Sequence, residues 1–240
     1  MLTLVLDTSS RAGSIAILRD DRVLGVISTE TDEAFSSRIF RQLEFLSREV
    51  SVNPNQMELF AVVAGPGSFS GLRVGLTAVK AWAEVYEKPI VAVSALEAIA
   101  SQSYADSSLV FPVLDARRGQ IYFGAYRQVR PGEFQAEGEE FVLTAEEFLA
   151  NVRDRFATLE SIRVATPTPE LLTETFTRAA GSKSPAHISV HQVSGILAPQ
   201  AGRIAYRKAL AGDFTSSLAL DANYIRRSDA EVKWKGFHST

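Results

Sequence analysis

Over the first thirty residues, apolar and polar positions fall in short runs broken by polar turns. Leu2–Leu6, Ser14–Leu18 and Arg22–Ser28 predict three strands, separated by Asp7-Thr8-Ser9-Ser10 and by Asp20-Asp21. The period then changes. Phe35, Ile39, Leu43, Leu46 and Val50 recur at helical spacing with charges between them, until Asn53-Pro54-Asn55 ends the run. Phe60–Ala64 predicts a strand, and Gly65-Pro66-Gly67-Ser68-Phe69-Ser70-Gly71 a tight turn. Leu72, Leu76, Val79, Ala83 and Tyr86 then mark one face of a second helix. Pro89–Val93 predicts another strand, and Ser94 caps a helix through Ile99. The order is β-β-β-α-β-α-β-α.

The second half predicts the same order. Val110–Leu114, Gln120–Tyr126 and Glu137–Leu143 read as strands, and Thr144 opens a helix with Glu146 and Glu147 in its first turn. Ser161–Ala165 is a strand, Pro169 starts a helix through Arg178, His187–Val193 is a strand, and Pro199 starts a helix through Leu210. Little residue identity links the halves, but an aspartate follows the first strand of each: Asp7 and Asp115. Two such α/β halves with mixed sheets describe the actin-like ATPase fold. The expected boundaries are 1–103 and 104–215 for the two subdomains, and 216–240 for a tail that packs back or is flexible.

Composition narrows the function classes. The 240 residues are 46% hydrophobic and 22% charged, ordinary for a globular protein. A formal net charge of −3 gives no global reason to expect nucleic-acid binding. Without cysteine, disulfides, thiol nucleophiles and thiolate metal sites are excluded. The N-terminus does not read as a signal peptide and no apolar run is long enough to span a membrane, so a cytoplasmic protein is expected. His187 and His191 flank β-branched, alternating residues, which predicts a strand that sets them about 13 Å apart at ~3.3 Å per residue. No metal is expected there. The third histidine, His238, falls in the tail, where Arg226-Arg227 and Lys233-Trp234-Lys235 mix cations with an aromatic residue.

The glycine turn carries two readings. A turn that opens a helix exposes unpaired amides at the positive end of the helix dipole, which suits an anion. No lysine follows at the P-loop position, and Ser70 stands where a dinucleotide fingerprint needs glycine. Glycines used for close packing are the equal alternative. Asp115-Ala116-Arg117-Arg118-Gly119 offers either a metal or phosphate contact, or a solvated hairpin turn. The two first-half helices space their apolar positions by threes and fours, and Phe40 and Phe45 lie off the first stripe. A helix apolar on two faces points to a second partner.

The glycine turn after Asp7-Thr8-Ser9, together with Asp115-Ala116-Arg117-Arg118-Gly119-Gln120-Ile121-Tyr122 and Asn223-Tyr224-Ile225-Arg226 to Asp229-Ala230-Glu231, resembles the TsaB (YeaZ) family over nearly the full sequence. The resemblance implies an actin-like fold and a non-catalytic scaffold role in making N6-threonylcarbamoyladenosine beside the tRNA anticodon. Implied partners are the catalytic paralogue TsaD as a heterodimer and the ATPase TsaE, with a homodimer when alone and tRNA met only through the complex. The expected interface lies on the first-half helices at Ile39, Leu43, Leu46, Leu72, Leu76, Val79 and Ala83. A vestigial phosphate loop is expected at Asp7, Thr8, Gly65, Gly67, Ser68, Gly71, Asp115 and Arg117. The paralogue's HxxxH metal motif has no counterpart in Ser94-Ala95-Leu96-Glu97-Ala98-Ile99-Ala100, so no metal and no catalytic residue are expected. The sequence departs from many relatives at Ser70, Gln120 and Phe35-Ser36-Ser37. Only Gly195 stands where an ATPase would use a glycine pair, which implies no cofactor of its own and ATP or ADP bound only weakly or at an interface. The competing function is an actin-like small-molecule kinase or ATPase that uses Asp7 and Asp115.

Overall fold

The computed structural model describes residues 1–103, 109–156, 161–172 and 187–225. Its first sheet contains β1 (Leu2–Asp7), β2 (Ser14–Arg19), β3 (Arg22–Ser28), β4 (Leu59–Gly65) and β5 (Ile90–Ser94) in the order β3-β2-β1-β4-β5. The three leading strands form antiparallel hairpins, and β1, β4 and β5 run parallel. Every residue of β1 and β4 is buried, as central parallel strands covered on both faces require.

Alternation along these strands divides the core. Leu4, Leu6, Ile15, Ile17, Phe60 and Val62 face α1 (Phe35–Glu49) and α2 (Phe69–Tyr86). Val5, Ala16, Leu18, Ala61 and Val63 point the other way, toward α3 (Ala95–Ala100) and α5 (Ala198–Leu210). Between α2 and α5 in chain order lies α4 (Ala145–Arg155), which packs Phe148, Leu149 and Val152 on the second sheet.

That sheet repeats the first. Its strands β6 (Leu109–Arg117), β7 (Gln120–Phe123), β10 (Phe141–Thr144), β11 (Ser161–Thr166) and β12 (His187–Gln192) lie in the order β10-β7-β6-β11-β12. Residues 170–172 begin a helix, and the rest of the helix predicted through Arg178 lies outside the described residues. Pairing of His187 with Ser161 and of His191 with Ala165 places both histidines on a strand, as their spacing predicts.

Two features depart from the sequence reading. The strand predicted over Gln120–Tyr126 breaks at Gly124, where a Cβ would lie 3.0 Å from the Tyr126 ring. The chain there leaves β7 and forms an added hairpin, β8 (Tyr126–Arg130) with β9 (Glu133–Ala136), which pairs with the start of β6. The third strand therefore shortens to Phe141–Thr144. In addition, α5 follows the second sheet in sequence but lies on the first: a Cβ on Gly202 would meet Leu18 Cδ1 at 2.5 Å and Val5 Cγ2 at 3.0 Å. One apolar cluster joins α5 and α3 to Val110, Tyr122, Tyr126 and Ala165 of the second sheet, so the two halves share a core.

Candidate functional site

Gly67 of the β4–α2 turn, with Gly71 and Gly75 of α2, faces the turn after β1. A Cβ on Gly67 would lie 2.4 Å from the Ser9 carbonyl oxygen, one on Gly71 2.1 Å from the Thr8 carbonyl oxygen, and one on Gly75 2.4 Å from Thr8 Oγ1. Gly65, at φ +119°, would bring a Cβ within 2.9 Å of the Asn223 carbonyl oxygen. The polar groups are engaged as well. The Ser68 amide donates to the Ser9 carbonyl at 2.7 Å, the Thr8 hydroxyl donates to the Gly71 carbonyl at 2.7 Å, and Ser68 Oγ caps α2 by accepting from the Gly71 amide at 3.3 Å. The structure thus brings together Asp7, Thr8, Gly65, Gly67, Ser68 and Gly71, in close packing between two turns.

Asp7 is fully buried at the centre of this junction. Its Oδ1 accepts from the Ser9 amide at 2.9 Å and from the Ser9 hydroxyl at 2.6 Å, and its Oδ2 has no hydrogen-bond partner among the described residues. Burial pushes the carboxyl above its ordinary 3.8, against smaller downward pulls from the Ser9 hydroxyl and the Ser9 amide. The sign follows by linkage. A raised native value means that the fold favours the protonated acid, so that stability is fully present below the unfolded value and is lost as pH rises through the native one. Wild type should therefore lose stability relative to Asp7→Asn as pH climbs from about 3.8 toward neutrality. Paired thermal melts across that range measure the difference, and a difference that stays flat would contradict the buried acid.

Asp115 and Arg117 engage each other instead. Asp115 Oδ1 accepts from the Arg117 amide at 2.6 Å, and Oδ2 lies 3.2 Å from Arg117 Nη1. Arg117, Arg118 and Gly119 all adopt positive φ, so the segment is a tight hairpin turn with an internal ion pair.

The helices correct one expectation. Ile39, Leu43, Leu46, Leu72, Leu76, Val79 and Ala83, expected at a partner interface, are all buried within this chain against β1, β2 and β4. Three-and-four spacing marks the face turned to the sheet, and these residues form that face. The surface of the same helix pair is nonetheless apolar. Phe40 is 65% exposed, Phe45 56% and Val85 73%, and Phe40 meets Trp82 edge-to-face at 6.2 Å. An open groove of about 710 Å³ runs beside them, lined in part by Phe40, Glu44, Arg48, Trp82 and Tyr86. Arg38, buried in α1, holds that helix in place through the carbonyls of Thr29 and Arg11.

The sequence reading missed a polar cluster between the sheets. Glu140 Oε1 accepts from the Tyr126 hydroxyl at 2.6 Å and from Ser94 Oγ, and its Oε2 accepts from Asn223 Nδ2. Burial first, then the adjacent Glu140, pushes the Tyr126 hydroxyl far above its ordinary range. Asn223 belongs to a C-terminal strap. Its Thr215 bridges to Ile90, Leu220 is buried in the first core, and the Asn223 amide donates to Ala64 at 2.7 Å. Glu140 falls within the run Glu137–Leu143 that the sequence reads as a strand, but it lies just ahead of the strand that forms at Phe141, so no spacing signals its role.

Among the described residues, no three His, Cys, Asp or Glu side chains are grouped to hold a metal ion, and no helix is long and apolar enough to cross a membrane. The family model for TsaD, tRNA N6-adenosine threonylcarbamoyltransferase, matches residues 14–219. A protein of Bacillus subtilis named "tRNA threonylcarbamoyladenosine biosynthesis protein TsaB" is 36% identical over 127 residues, 53% of this chain and 56% of that protein. Its namesake in Escherichia coli is 28% identical over 148 residues, 61% of this chain and 64% of that protein. The alignments thus span somewhat over half the length of these relatives. Of solved structures, YeaZ from Pseudomonas aeruginosa superposes with a TM-score of 0.74 at 22% identity, covering 93% of this chain and 99% of that one. A ROK hexokinase from Thermus thermophilus superposes with a TM-score of 0.52 at 11% identity, covering 88% and 100%. These likenesses establish the actin-like ATPase fold.

Proposed function

Because the chain belongs to the family of TsaD, tRNA N6-adenosine threonylcarbamoyltransferase, as a TsaB-like (YeaZ) member, we propose that it is a scaffold and activating subunit in threonylcarbamoyladenosine synthesis rather than the transferase itself. The supporting observation is the apolar ridge of α1 and α2, where exposed Phe40 packs on half-buried Trp82 and where Phe45 and Val85 are exposed as well. Large apolar side chains left toward solvent on a helix pair mark a surface that a partner covers. In this reading the partner is the catalytic TsaD-type paralogue, with a TsaE-type ATPase joining the complex. A second copy occupies the ridge when the chain is alone, and tRNA is met only in the assembly.

Two further observations support a subunit without catalysis of its own. The helix after β5, Ala95–Ala100, is wholly apolar apart from Glu97 and carries no histidine, so its residues do not fit the paralogue's metal motif. The Cβ sides of Gly67 and Gly71 are taken up by Ser9 and Thr8, and the Ser68 and Gly71 amides are already hydrogen-bonded, which favours close packing over a phosphate cradle. A small-molecule kinase built on Asp7 would need that carboxylate to face a metal–nucleotide. Asp7 is instead fully buried against Ser9.

The ridge supplies the test. Phe40→Glu should abolish co-purification with the paralogue while leaving the melting temperature almost unchanged, because surface substitutions cost within about 0.5 kcal/mol. Retained association would remove the ridge from the interface. Depleting the protein should lower threonylcarbamoyladenosine in bulk tRNA, read by mass spectrometry. Unchanged levels in a cell without a second homologue would end the subunit reading.

A further inference from the structure

Three exposed side chains from distant parts of the sequence meet at the start of α2, away from the α1–α2 groove. Phe69 opens the helix, Arg73 lies one turn on, and Tyr224 follows Asn223 in the C-terminal strap. The Phe69 and Tyr224 ring centroids are 4.8 Å apart with their planes tilted by 32°. The Arg73 guanidinium carbon stands 4.1 Å from the Phe69 centroid, and Arg73 Nε donates to the Tyr224 hydroxyl at 3.2 Å. Phe69 is 38% exposed and Tyr224 37%.

This packing leaves two capacities facing solvent. The rings retain open surface, and a guanidinium laid on an aromatic face retains N–H donors and its charge. Arg73 has no carboxylate partner among the described residues, whereas Arg41, Arg48, Arg117 and Arg127 all do. Glu140, which the strap brings near through Asn223, is already occupied by Tyr126, Ser94 and Asn223. The flanking Ser68 and Ser70 are exposed hydroxyls, so the patch has a polar rim rather than the apolar surround of α1 and α2. Flat apolar surface beside an uncompensated cation complements unpaired nucleotides, which supply a planar base and a phosphate together.

We propose that Phe69, Arg73 and Tyr224 form a stacking platform for an unpaired base and its phosphate in single-stranded RNA. The choice of a tRNA anticodon loop as that RNA rests on the subunit reading above. Net charge gives no hint of such a site, because the cation acts through a local, preorganised contact.

The test uses the full chain in complex with its TsaD-type paralogue and a fluorescein-labelled, unmodified anticodon stem-loop read by anisotropy. Arg73→Gln and Phe69→Ala should each weaken stem-loop binding about tenfold, the loss of one stacked base contact. Arg73→Lys should fall between them and wild type, because it keeps the charge and loses the planar stack. All three variants should still co-purify with the paralogue. Arg73→Gln is fully surface-borne, so it tests the platform even if Phe69→Ala loosens the helix start. Unchanged anisotropy in both Arg73 variants would overturn the proposal. So would loss of co-purification without loss of RNA affinity, which would make the patch a protein interface. If wild type does not associate with the paralogue, the subunit reading fails by itself. The same titration on the isolated chain then tests the platform separately.

Discussion

Val79→Glu should remove a large part of the protein's folding stability. Val79 is fully buried on the face of α2 that packs against β1 and β4, among Leu4, Phe60, Val62 and Leu76. A glutamate there loses the valine's packing and strands a carboxylate with no cation in the cluster. Burial of an unpaired charge belongs to the small class of substitutions that cost about 4–5 kcal/mol or more, a large part of the 5–15 kcal/mol typical of a domain. At this chain length the melting temperature should fall by about 10–20 °C. Leu76→Glu should behave alike. The contrast with Phe40→Glu is the informative part: one helix pair, two faces, and opposite outcomes in melting temperature and partner capture. If Val79→Glu folded normally and lost only association, α2 would be facing a partner with the side described here as core.

Gly71→Ala should be nearly as damaging, although it adds a single methyl group. The new Cβ would stand 2.1 Å from the Thr8 carbonyl oxygen, and both atoms belong to backbone held at a strand end and a helix start. Neither can rotate away, so the turn after β1 and the start of α2 must part. Overpacking in a tight core costs about 1–3 kcal/mol, and a backbone collision lies at or beyond the top of that range. The Thr8-to-Gly71 and Ser68-to-Ser9 hydrogen bonds would stretch with it. Gly132→Ala is the control. Gly132 has open space around its Cβ position and a φ of +71°, so only the local cost of about 1 kcal/mol applies. Chemical denaturation of the two variants should separate them by about 2 kcal/mol or more. Equal stabilities would mean that the glycine turn is open enough to admit a ligand.

Much of the first sheet is legible from periodicity alone, because β1 and β4 are continuous apolar runs and α1 and α2 keep a helical stripe. The meaning of that stripe is not. Spacing shows that Leu43 and Leu76 share a face with their neighbours, and says nothing about whether a sheet or another molecule lies opposite. The informative residues were the ones off the stripe, Phe40 and Phe45, which a buried helix would not place toward water. The glycine turn resists sequence reading for a similar reason. Close packing and anion binding demand the same residue type, and the choice is made by Thr8 and Ser9 more than fifty positions away. The β8–β9 hairpin was hidden because Gly124 breaks one apparent strand without changing its apolar alternation. The Phe69–Arg73–Tyr224 cluster spans positions that no local window contains.

The position of α5 bears on how the protein is made. Ribosomes release the first sheet early, with β1, β4 and β5 emerging long before Ala198–Leu210. Until that helix arrives, the face bearing Val5, Ala16, Leu18, Ala61 and Val63 lacks the cover it has in the finished molecule, as do the Ile90 and Ala64 carbonyls that the strap later engages. A nascent chain stalled near residue 103 should therefore remain protease-sensitive and recruit chaperones, while one extended past residue 225 and clear of the exit tunnel should become resistant in a single step. Folding of the first half thus waits on translation of the last.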